Sequence, residues 1–262
     1  MPAYDKVLAL GRERDHAIFL DLGCCCEDLS CSVNHIFSKI LTRELVGNDA
    51  RKVIADGFPL AGVLASDIHK GMHIIIFVLV ARWLILAAEF WDLGHELFKS
   101  TPETFPVPFI PGDIFDPSIL EPIPSLNEAP KTPMPALSFL TSLNPLRGHV
   151  SIIHTSSFFH LFSEERQLQL ARALAGLLSP EPGSILFGSH VGSAVKDFKR
   201  SSSGRMMFCH SPESWKELWV GQVFEQGMVE VEVLLKHIDR TDFATFAETA
   251  DNFILAWSVT RV

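Results

Sequence analysis

The chain has 262 residues, 47% of them hydrophobic and 20% charged, which suits one large domain with a substantial core and excludes a disordered protein. A formal net charge of −9, with no Lys/Arg run, excludes a nucleic-acid binder, because phosphate binding needs a basic surface. Cys24, Cys25, Cys26 and Cys31 cluster and Cys209 stands apart, a pattern of reduced thiols in a cytoplasmic protein and not of a secreted disulfide framework or a zinc site.

No charged segment followed by an apolar one opens the chain, so no signal peptide is expected. Tyr4 to Leu10 make one or two turns of amphipathic helix, and a charged stretch follows from Gly11 to Asp15. Residues 17–25 read Ala-Ile-Phe-Leu-Asp-Leu-Gly-Cys-Cys, four apolar residues leading to Asp21 and then Gly23. A strand covered on both faces needs apolar side chains on both sides, and glycine gives the backbone freedom where a ligand approaches. In an open α/β sheet that turn falls at the carboxyl end of the strand, where ligands bind.

Residues 48–57 form a helix that Asn48 or Asp49 can cap, with Val53 and Ile54 on its apolar stripe and Gly57 at its end. A second apolar strand covers residues 61–66 and ends in Asp67, an acid placed to accept hydrogen bonds from the two hydroxyls of a ribose. Residues 71–88 are almost wholly apolar; as a helix they would reach about 27 Å, just short of the ~30 Å hydrocarbon core. Arg82 near the middle would cost ~2.5–3.5 kcal/mol there, so a helix outside the sheet, buried or covered by a partner, is the expectation.

A helix at residues 89–98 precedes a proline-rich region, and ten of the sixteen prolines lie between Pro102 and Pro135. Inside it, residues 105–113 make a short edge strand closed by Gly112 and Asp113, an acid able to accept from an adenine amino group. Residues 117–145 are expected to be a surface loop over the site. A fourth strand covers 148–155. A helix capped by Ser163 follows, with Leu168, Leu170, Ala171, Leu174, Ala175, Leu177 and Leu178 turned inward. A fifth strand at 184–190, a polar loop at 192–205, a helix opened by Ser211-Pro-Glu, and closing strands at 229–235 and 253–260 complete the chain. His154 and His160 lie past the fourth strand, where a general base could stand; His190 and His210 rank below them.

This order of elements is that of a Rossmann-like class I methyltransferase, an α/β fold with a mostly parallel seven-stranded sheet, helices on both faces and an antiparallel last strand. The segments 19–25, 46–57, 66–68, 89–98, 112–114, 156–162 and 208–215 resemble the fungal S-adenosylmethionine-dependent methyltransferases of the meroterpenoid-pathway, or austinol, type, over nearly the whole chain. The resemblance implies a single domain that takes S-adenosyl-L-methionine as cofactor and O-methylates a small acidic terpenoid or polyketide in fungal secondary metabolism. It implies Asp21, Gly23, Gly47, Asp67, Ile68, Asp113 and Ile114 as cofactor residues, with Asp67 on the ribose, Asp113 on the adenine and Ile68 and Ile114 packed on the base. No metal, nucleic-acid or obligatory membrane partner is implied, and a homo-oligomer is compatible with it.

Against the family pattern, residues 26–45 and 71–88 are inserts, and an amino-terminal segment that closes over the cofactor is missing. A catalytically inactive relative is therefore the alternative, and a protein tethered to a membrane through 71–88 is the third reading. The insert reading predicts that deleting 26–45 and 71–88 together raises both solubility and affinity for S-adenosylmethionine. Each large apolar side chain of 71–88 left in water forgoes ~1.5–3 kcal/mol, and the first deletion brings Gly47 back beside Gly23. Sedimentation and cofactor titration of the deletion variant check this; lower solubility together with unimproved affinity would end the insert reading.

Overall fold

The computed structural model describes residues 3–24, 48–67, 90–200, 206–237 and 253–262. Helix α1 is Tyr4–Glu13, strand β1 Phe19–Leu22, α2 Asn48–Ala55, β2 Val63–Asp67, α3 Phe90–Phe98 and β3 Phe109–Pro111. A single turn, α4 Pro117–Leu120, precedes β4 Ile152–Ser156 and α5 Glu164–Leu177. Then come β5 Ile185–Gly192, a hairpin of β6 Asp197–Arg200 and β7 Met206–Cys209, α6 Pro212–Trp219, β8 Val229–His237 and β9 Phe253–Arg261.

Seven strands form one sheet in the order β3-β2-β1-β4-β5-β9-β8. The first five pair in parallel, and β9 runs antiparallel between β5 and β8. Strand alternation sends Phe19, Val63, Ala65, Ile152 and Phe187 to one face, where Val7 of α1, Ala50 and Val53 of α2 and Trp91 of α3 cover them. Leu20, Leu22, Leu64, Ile153 and Leu186 go to the other face, against Leu170 and Leu174 of α5 and Trp215 and Trp219 of α6. Both faces are thus buried, which is why the inner strands are nearly continuous apolar runs. This is the expected α/β class.

Two helix starts carry their sequence signature into the structure. The Ser163 side chain accepts from the Arg166 N–H at the head of α5, and Ser211 and Ser214 make a reciprocal capping box at the head of α6. Of the residues expected inward on α5, Leu168 is only half-buried, and Ala173 and Gln167 are buried in addition.

Three expectations need correction. Helix α1 continues beyond Leu10 to Glu13 and brings Gly11 against the Phe58 ring, where a Cβ would come within 2.3 Å of it. The supposed polar loop at 192–205 contains β6, which pairs antiparallel with β7 just beyond it, Asp197 with Cys209 and Arg200 with Met206. Residues 117–145, expected as a surface loop over the site, stay beside it only in part. Leu126 accepts at its carbonyl from Arg261 at the end of β9, Thr132 bonds His149 just before β4, and Leu143 and Leu146 are fully buried in the core. The middle of the segment, around Leu126 and Thr132, therefore packs at the amino ends of the strands, where the β9 register brings Arg261, while Ile119 in its first turn packs on Gly112 at the carboxyl end of β3.

The inserts at 26–45 and 71–88 lie outside the described residues. Among the described residues, no helix is long and apolar enough to cross a membrane.

Candidate cofactor site

The turns that follow β1 and β3 are each bonded to the carboxyl end of β2, which lies between them. Gly23 N–H donates to the Ser66 carbonyl at 2.9 Å, and Gly112 N–H donates to the Asp67 carbonyl at 2.9 Å. These bonds set Gly23, Asp67 and Asp113 side by side along one edge of the sheet. Gly23 has φ +73°, a conformation that L side chains rarely adopt, and a Cβ there would come within 2.6 Å of the Phe158 ring.

Asp67 closes β2 and is 3% exposed, a buried acid of the kind kept only where it has hydrogen-bond partners to accept from. Asp113 is exposed, and its Oδ1 accepts from the Phe115 N–H at 2.9 Å, so this carboxylate is fixed by its own turn. Ile114 is buried in the main core cluster. Gly47 and Ile68, the other residues expected here, lie outside the described residues.

Asp21 sits one layer below the turns. Its Oδ2 accepts from the Ala50 N–H in the first turn of α2 at 3.1 Å, and its Oδ1 meets His154 Nδ1 at 2.9 Å. The register places Asp21 directly beside His154 on the adjacent strand. Both are 2% exposed, and the rings of Phe19 and Phe187 flank the imidazole, the latter at 4.8 Å. Burial alone would lower the His154 pKa, but the hydrogen bond and charge of Asp21, with the Asp49 carboxylate 4.0 Å away, outweigh it and hold it above the ordinary value.

His154, expected past the fourth strand beside a substrate, is instead within β4 and bonded to Asp21. Strand alternation puts it on the face covered by α2, with Ile152. Among the described residues, Asp21, Asp49 and His154 have ligand-type atoms all within 4.8 Å of one another. Both Asp21 oxygens are already engaged, so the group is a hydrogen-bonded pair with a second acid near it.

His160 is in the 3₁₀ turn Phe159–Leu161 after β4 and is half-buried, its ring stacked on His190 with centroids 6.5 Å apart. His190 is buried, and its Nδ1 accepts from the Trp257 indole N–H at 3.1 Å, which requires that nitrogen to be unprotonated. Burial, then the neighbouring His160 and His210, push the His190 pKa well down; burial takes His210 to about 4. Burial lifts the Cys209 thiol to about 11, which leaves it protonated and unreactive at neutral pH.

The sequence reading missed Ser157, a non-glycine residue at φ +53° at the exit of β4. Nothing in its local sequence signals that conformation.

No protein-family profile matches the chain. It is similar to fungal methyltransferases: O-methyltransferase phiE of a fungal species, 27% identical over 244 residues, 92% of this chain and 60% of the relative; O-methyltransferase atr3 of Stereocaulon alpinum, 26% identical over 83% of this chain and 46% of the relative; and the Asnovolin E/Chermesin D methyltransferase nvfJ of Aspergillus novofumigatus, 25% identical over 99% and 70%. The chain thus spans 46% to 70% of the length of these relatives. Among solved structures, the Burkholderia thailandensis 1,6-didemethyltoxoflavin-N1-methyltransferase, with bound 1,6-didemethyltoxoflavin and S-adenosylhomocysteine, matches at TM-score 0.50 and 11% identity, over 100% of this chain and 77% of that one. The fold is that of the class I methyltransferases.

Proposed function

We propose that the chain is an S-adenosylmethionine-dependent methyltransferase that O-methylates a small acidic terpenoid or polyketide in fungal secondary metabolism, working in the cytoplasm. The observation that carries this is the edge formed by Gly23, Asp67 and Asp113 at the carboxyl ends of three adjacent parallel strands, held in line by the Gly23–Ser66 and Gly112–Asp67 backbone bonds. The named activities of the similar fungal proteins support it.

The residues suit the cofactor. A buried acid at Asp67 can accept from two ribose hydroxyls, and Asp113 has a second oxygen beyond the one fixed by Phe115 with which to accept from the adenine amino group. Ile68 and Ile114 are assigned to the base, and Gly23 and Gly47 to the close backbone approach at the amino-acid end. Asp21 acts one step removed, by holding the head of α2 through the Ala50 amide. The cofactor supplies an electrophilic methyl group; the protein's share is to hold the acceptor oxygen in line with it and exclude water. A carboxylate acceptor needs no base. A hydroxyl acceptor does, and of the two histidines singled out His160 is the one placed past the end of β4 to serve.

Replacing Asp67 by alanine is expected to weaken S-adenosylhomocysteine binding by about 1.5–3 kcal/mol, the loss of charge-assisted hydrogen bonds to the ribose. Calorimetric titration of parent and variant checks it. An unchanged affinity in a parent that binds would remove the ribose assignment.

A further inference from the structure

Strand β4, next to β1 in the sheet, ends in an unusual way. β4 stops at Ser156, and Ser157 takes φ +53°, a left-handed conformation that costs a residue with a side chain on the order of 1–3 kcal/mol. Ser157 is exposed, so burial of its own side chain does not offset that cost. The turn is nonetheless held firmly: the Ser157 N–H donates to the Ser189 carbonyl at 2.7 Å, and the Ser156 and Ser189 hydroxyl oxygens are 3.2 Å apart.

What the turn delivers is the next residue. Phe158 is 7% exposed, and its ring lies on the Cα of Gly23 in the space a Cβ would fill. Phe158 packs edge-on against Phe162 with centroids 5.2 Å apart, Phe162 packs edge-on against Phe115 at 5.0 Å, and the Arg166 guanidinium covers Phe115 at 4.5 Å. Phe115 is the residue whose N–H fixes the Asp113 carboxylate. A row of three rings therefore runs from the turn after β1 to the turn after β3, anchored in the segment that follows β4.

We propose that Ser157 and Phe158 are positioning residues of the cofactor site: the left-handed turn at Ser157 seats Phe158 on Gly23, and the row through Phe162 and Phe115 sets the Gly23 and Asp113 turns at a fixed separation. This rests on the reading of those turns as the S-adenosylmethionine pocket. It follows that what matters at position 157 is the backbone conformation and not the hydroxyl. Glycine takes that conformation without strain, whereas a β-branched side chain opposes it.

The test is calorimetric titration of the full chain with S-adenosylhomocysteine, alongside thermal unfolding, for the parent and for Ser157→Val, Ser157→Gly and Phe158→Leu. Ser157→Val is expected to lower affinity about tenfold or more, and Ser157→Gly to recover most of that loss although it lacks the hydroxyl. Phe158→Leu keeps an apolar side chain in the core and carries the test if Ser157→Val does not fold; its affinity is expected to fall several-fold, by roughly 3- to 10-fold, with only a small change in melting temperature. A folded Ser157→Val or Phe158→Leu that binds like the parent overturns the inference, as does a Ser157→Gly no better than Ser157→Val. A parent that binds neither S-adenosylhomocysteine nor S-adenosylmethionine overturns the functional reading itself, and this inference with it.

Discussion

Replacing His154 by leucine is expected to cost about 3–5 kcal/mol of folding stability at neutral pH, because it strands the Asp21 carboxylate at 2% exposure without its partner. The leucine fits the pocket between Phe19 and Phe187 on volume, so the loss reports the uncompensated charge and not a cavity. The remaining Asp21 oxygen still accepts from the Ala50 N–H, which cannot by itself balance a buried anion. Asp21→Asn removes that charge while keeping an oxygen for the Ala50 amide. The double variant Asp21→Asn/His154→Leu should therefore lose clearly less than the sum of the two single losses. Urea unfolding of the three variants measures this. A single loss below about 1 kcal/mol, or strict additivity, would show that the pair is not a coupled buried ion pair.

Acidification is expected to destabilise the chain well before its carboxylates titrate. His190 and His210 are buried neutral, and their folded pKa values lie below the ordinary histidine value, His210 at about 4. The unfolded chain therefore binds more protons than the folded one between the two values, and stability falls as pH drops below about 6.5. At about 1.4 kcal/mol per pH unit, His210 alone contributes a loss on the order of 3 kcal/mol by pH 4, and His190 adds to it. His154 works in the opposite window. Its folded pKa is raised, so its stabilising contribution is complete below about 6.5 and is lost as pH rises through the folded value. Stability should thus peak near neutrality. Urea midpoints across pH, with the acid slope reduced in His210→Gln, check the assignment; a stability that is flat or rises between pH 7 and 4.5 contradicts it.

The apolar runs of β1, β2, β4 and β5 could be read directly, because strands buried on both faces carry an unbroken hydrophobic signal and stop at polar residues. The same signal located the edge. Asp67 and the Gly112-Asp113 pair end their runs, and an acid at that end of a strand has few structural reasons to be there. The surroundings of His154 follow from alternation. It shares a face with Ile152, two residues back, as Asp21 shares one with Phe19, so the two polar groups meet under α2 and not above the sheet. The β6–β7 hairpin was hidden by Asp197, Lys199 and Arg200, whose charges give no apolar alternation. The course of residues 117–145 was hidden for a different reason. Composition marks a loop but not which end of the sheet its leucines will find. Ser157 was not legible at all, because its left-handed turn is imposed by Ser189 on the neighbouring strand and by Phe158 seating on Gly23.

The central claim is that the edge formed by Gly23, Asp67 and Asp113 binds S-adenosylmethionine, and direct calorimetric titration of the full chain tests it without knowledge of the acceptor. The account predicts saturable binding of one cofactor per chain for both S-adenosylmethionine and S-adenosylhomocysteine, abolished or strongly weakened by Asp67→Ala. No binding of either compound up to about 1 mM, in a chain shown by circular dichroism to be folded, would contradict it.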